Sequence, residues 1–149
     1  MRSPWRRGSR LLDNYLDLSG PNTTPWSQLR QPDGLYNITS SRSLRPYPPR
    51  FSAFEPLRLQ RILRAMEHAA RTRQIFHLNW HPHNFGVNLD QNLQFLRNIL
   101  DCFLHLEQRY GMRSLSMAGV VDAVEDKHAP TPSAEQRGDS ICNPTPVNR

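Results

Sequence analysis

Two long stretches of helical periodicity flank one short β-prone run, and this order limits the possible folds more than any other feature of the chain. From residue 56 to 72, Leu59, Ile62, Leu63, Met66 and Ala70 recur at the spacing of a helix with one buried face. Pro56 suits the first helical position, where no backbone donor is needed. Arg71 and Arg73 close the helix against the negative end of its dipole. The second stretch starts at Asn88, with Gln91 three residues on in a capping-box-like arrangement. Its expected buried face carries Leu89, Leu93, Leu96, Ile99, Leu100, Phe103 and Leu106, and Gly111 stops it. Each such side chain contributes roughly 1.5–3 kcal/mol when fully buried, so both helices must lie on something.

Between them, QIFHLNW (74–80) reads as a strand ending near His81, because Pro82 steers the residue before it away from helical geometry. A loop, PHNFGVN, leads to the second helix. Further on, MRSLSM (112–117) reads as another short strand, followed by a brief helix through Val124. Upstream, RLLDNYLDL (10–18) reads as a short helix and residues 20–52, with six prolines, as a long loop. Helices alternating with strands imply a parallel sheet covered by helices, so further strands are expected inside that loop or in a larger whole.

The chain of 149 residues fits one domain, yet only 37% of it is hydrophobic and its 13 prolines are clustered. Residues 1–125 read as the folded portion. Residues 126–149, polar and without periodicity, read as a disordered tail. The net charge of +6 raises nucleic-acid or acidic-surface binding. However, Arg58, Arg61, Arg64 and Arg71 are loosely spaced and share their helix with Glu67, a pattern that fits a solvated face better. Nucleic acid is therefore not the expected partner. Cys102 lies in a helical pattern and Cys142 in a proline-rich tail, so no disulfide framework is expected. Neither a signal-peptide pattern nor a membrane-spanning run stands out, and the expected compartment is cytoplasmic.

Three of the six histidines, His77, His81 and His83, fall in FHLNWHPHNFG (76–86). Alternation along a strand puts His77, Asn79 and His81 on one face and Phe76, Leu78 and Trp80 on the other. The apolar face would meet the helices, and the polar residues would gather at the carboxyl end of the strand, where parallel α/β folds bind ligands. Hydrogen-bonded histidines with no chemistry are as good a reading as a site. A metal centre needs three or four ligands, and no Asp or Glu lies between Arg71 and Val87. Acid–base work needs one well-placed imidazole.

The run IFHLNWHPHNFGVNLDQNLQFLRNIL, the later MRSLSM, and upstream LDNYLDLSG and SSRSLRPY resemble the C-terminal part of polysaccharide deacetylases of the NodB-homology type, over roughly residues 10–125. The resemblance implies an α/β fold, a partial and distorted (β/α) barrel, in a protein that hydrolyses the N-acetyl group of an amino sugar or polysaccharide. In that family a divalent metal, commonly zinc, is held by an Asp of T-F-D-D and two His of H-[ST]-x-x-H-P, and a late L-x-x-H supplies the acid that protonates the leaving amine. Leu78-Asn79-Trp80-His81 matches L-x-x-H, which makes His81 the implied catalytic acid, with Trp80, His77 and His83 as substrate-binding neighbours. His77 to Pro82 also nearly matches the metal motif, but Leu78 stands where Ser or Thr belongs and the run leads into the last helices of the chain.

No T-F-D-D and no Asp-Asp pair occurs in the chain. The resemblance thus implies a C-terminal fragment, inactive alone, with no cofactor of its own and with a missing N-terminal half as partner. A non-catalytic sugar-binding or helper module is the alternative, and a small basic nucleic-acid-binding protein a more distant one.

Overall fold

The computed structural model describes residues 20–126. The expected helix over 10–18 and the tail from 127 onward lie outside the described residues.

Helix α1 (Glu55–Thr72) follows a 3-10 stretch, Pro49–Phe54, and carries Pro56 in its first turn. It ends at Arg73, whose left-handed backbone (φ 52°) turns its N–H back onto the carbonyls of Ala69 and Ala70. Helix α2 (Leu89–Tyr110) ends in the same way at Gly111 (φ 67°), a conformation that costs glycine no Cβ clash. A third helix, α3 (Met117–Glu125), is capped by Ser116, whose Oγ accepts the Gly119 N–H at 3.1 Å.

α1 and α2 pack on each other to form the core. Leu59, Ile62, Leu63, Met66 and Ala70 of α1 meet Phe95, Ile99, Cys102 and Leu106 of α2, with Leu44 closing one end. The buried face of α1 is the one its periodicity marks. That of α2 is partly the expected one: Ile99 and Leu106 are buried and Leu96 and Phe103 pack on the core, but Leu89, Leu93 and Leu100 are exposed, and Asn92, Phe95 and Cys102 are buried instead. Both sets of residues satisfy helical spacing, and only those in register with α1 are covered.

The sheet is small. Among the described residues it has two parallel strands, β1 (Arg42–Ser43) and β2 (Leu78–Asn79), in register Arg42 with Leu78 and Ser43 with Asn79. β1 arises inside the stretch expected to be loop, and α1 forms the crossover between the two strands. The expected strand at 112–117 is absent: these residues lack regular structure up to Met117, where α3 begins. The partial (β/α) barrel expected from the resemblance is therefore overturned. Two two-residue strands pair along one edge, and the described fold is mostly helical.

The long segment before β1 is held by its polar groups. The Trp26 indole N–H donates to the Arg73 carbonyl at 2.9 Å, and Thr24 and Ile75 exchange two backbone bonds at 2.9 and 3.0 Å. Leu29 is fully buried there. Trp26 thus pins the loop to the end of α1. Cys102 is buried in the core between α1 and α2, and the chain's other cysteine lies outside the described residues. No helix among the described residues is long and apolar enough to cross a membrane.

Candidate functional site

β2 and the turn after it position the histidine run. The N–H groups of Ser41 and Arg42 both donate to the His77 carbonyl, at 2.9 and 3.2 Å, and the His77 N–H donates to Ser41 Oγ at 3.1 Å. Leu44 N–H donates to the Asn79 carbonyl at 2.8 Å. These four bonds lock residues 77–79 against β1. Phe76 and Leu78 pack on the core, as alternation requires. Trp80 departs from that alternation: it should share their buried face, yet it is 42% exposed. The ladder ends at Asn79, so nothing holds the next residue to the pleat.

His81 is the extended residue (φ −107°, ψ 128°) that leads into a 3-10 turn over Pro82–Phe85. Pro82 opens that turn, consistent with the steric bias a proline imposes on both sides. His81 and His83 are exposed, and their rings stack with centroids 5.3 Å apart and planes 20° from parallel. His77 stands apart from this pair. It is half-buried, and its Nδ1 is enclosed with no hydrogen-bond partner. The structure thus brings His81, His83 and the exposed Trp80 to one strand end and leaves His77 in the ladder beneath them.

The turn is fastened from α2 by a residue that sequence reasoning passed over. Buried Asn92 accepts the Tyr47 N–H at 2.7 Å and donates to the Val87 carbonyl at 2.8 Å, tying two loops to the first turn of the helix. A polar residue at a core-facing helical position was the available signal. Asn88, expected as a side-chain cap, makes no such bond: its backbone is left-handed (φ 57°), and its amide donates to the Tyr47 carbonyl at 3.4 Å.

No group of three His, Cys, Asp or Glu among the described residues is placed to hold a metal ion. The residues present do not fit the metal that the resemblance implies. What the strand end offers is two accessible imidazoles, which can donate or accept a proton, next in sequence to an exposed indole. Against known protein families, curated proteins and solved structures, the chain finds no match.

Proposed function

We propose that this chain supplies the acid–base and sugar-binding part of an amide hydrolase acting on N-acetylated amino sugars. His81 protonates the amine nitrogen as the C–N bond breaks. The observation that carries this reading is the exposed His81–His83 stack directly beyond the carboxyl end of a parallel strand. An imidazole there reaches a bound ligand without unfolding anything. Trp80, with its ring open to solvent, gives a pyranose an apolar surface, and indole suits that role because its body is apolar and its N–H polar. His77 precedes them in the ladder, with a ring nitrogen that has no partner among the described residues.

The groups that would activate water are not gathered among the described residues, so the chain is expected to bind without turning substrate over. The test is a titration with N-acetylglucosamine tetramer, followed by indole fluorescence and by acetate release. Saturable quenching that Trp80→Ala removes, without acetate, is the expected result. No binding at all would sink the proposal. Binding that is indifferent to His81→Ala in its pH profile leaves a non-catalytic sugar-binding module as the better reading.

A further inference from the structure

α2 carries apolar side chains on a side that α1 does not cover. Leu89, Leu93, Leu96, Leu100 and Phe103 follow at intervals of four, three, four and three residues, the repeat of a seam that packs along a second helix. Leu89, Leu93, Leu100 and the adjoining Leu104 are exposed, and Leu96 and Phe103 are half-buried at the margin of the core. Leucines exposed singly need no explanation, but a continuous row marks an interaction surface. The covered side of α2 lies about a third of a turn round the helix, so the body of the domain stands behind the row and leaves it open.

The row is complementary to itself. An antiparallel copy of α2, turned about a two-fold axis level with Ile99, sets Leu93 against Leu104 and Leu96 against Phe103, with Leu100 beside Leu96 of the other copy. The same register brings Arg97 of each copy level with Asp101 of the other, and both residues are exposed on the outer flank of the row. A parallel copy sets Arg97 against Arg97 and Asp101 against Asp101 instead. Charges beside a helical seam choose its direction, and here they choose the antiparallel one. Glu107 takes the next position of the repeat and ends the seam, so the seam is short and the association weak.

We propose that this chain forms an antiparallel homodimer through the leucine row of α2. Such a dimer stands whether or not the histidine run acts on sugars. Sedimentation equilibrium of the full chain over about 1–300 μM is expected to show a reversible monomer–dimer equilibrium, with Kd in the range of roughly 1–100 μM. Leu100→Gln should weaken it about 10-fold or more, since each copy loses an apolar contact. The same substitution should leave the urea midpoint of the dilute monomer unchanged, which separates loss of the dimer from loss of the fold.

Direction is tested by charge reversal. Arg97→Asp and Asp101→Arg should each dimerise more weakly than wild type alone, and the two variants should pair with each other when mixed. Failure to pair on mixing would overturn the antiparallel arrangement. A monomer at every concentration would overturn the dimer itself, and a monomer that binds phosphatidylglycerol vesicles would assign the row to a lipid surface instead. A dimer indifferent to Leu100→Gln would place the interface elsewhere, and that too would overturn the proposal.

Discussion

The guanidinium carbon of Arg58 sits over the ring of Phe95, 4.2 Å from its centroid, and this contact joins the start of α1 to the middle of the core. One face of the ring is spent on the cation and the ring edge on apolar neighbours, so Phe95 stays 7% exposed while covering a charge. A desolvated cation–π pair is worth on the order of 2 kcal/mol. Phe95→Leu keeps an apolar side chain in place but removes the π face. The expected loss in a urea unfolding experiment is about 2–3 kcal/mol, combining the lost ring with the smaller volume. A loss below about 0.5 kcal/mol would mean that the stacked cation contributes nothing.

Glu55, paired with Arg58, is 8% exposed, and burial raises its pKa above the ordinary 4.5; the Arg58 charge and hydrogen bond pull the other way without cancelling that rise. The sign follows from linkage. A carboxyl whose folded pKa is raised binds more protons when folded than when unfolded. Its contribution is therefore fully present below 4.5 and lost as pH rises through the folded value. Glu55→Gln cannot titrate. The difference in stability between wild type and variant should shift against the wild type as pH rises from below 4.5, and level off once Glu55 is ionised in both states. Urea midpoints taken across that range check the prediction, and a difference that runs the other way would show that Arg58 outweighs the burial.

The buried and exposed sides of α2 make opposite predictions. Leu106 is fully buried against α1, so Leu106→Ala should cost roughly 2–5 kcal/mol. Leu100 is 51% exposed, and Leu100→Gln should change stability by less than about 0.5 kcal/mol. Equal costs at the two positions would mean that α2 is rotated from the orientation described.

How far the sequence reaches is visible in the same helix. Periodicity located α1 and α2 and their stops, because the signal is long and each helix has one clear face. It misassigned three of the seven residues of the α2 face, since Leu89, Leu93 and Leu100 fit helical spacing as well as Phe95 and Cys102 do, and only packing against α1 separates them. Strand β1 was hidden because Arg42-Ser43 has neither apolar character nor length; it is a strand only by pairing with Leu78-Asn79. For the histidine run, alternation placed Phe76 and Leu78 correctly and failed at Trp80, one residue beyond the last ladder bond. That Arg42 and Arg45 line one cavity with Arg58 and Arg61 was not legible at all, because they meet through the crossover and not through spacing along one helix.

Trp80 separates structure from function. At 42% exposure, and past the end of the ladder, its side chain contributes little to the fold. Trp80→Ala should therefore shift the unfolding free energy by no more than about 0.5–1 kcal/mol, well short of the roughly 3–5 kcal/mol typical of a core aromatic. The same substitution should weaken N-acetylglucosamine tetramer binding about 10-fold or more, since one aromatic–sugar contact of ~1.4 kcal/mol is a factor of ten. Thermal unfolding and fluorescence-independent calorimetry on the same preparation measure both quantities. A large stability loss would recast Trp80 as a structural residue and remove the main apolar contact from the proposed sugar site. Unchanged stability with unchanged sugar affinity would leave the exposed indole without a role in that site, and the proposed proton donor at His81 without a neighbour to orient its substrate.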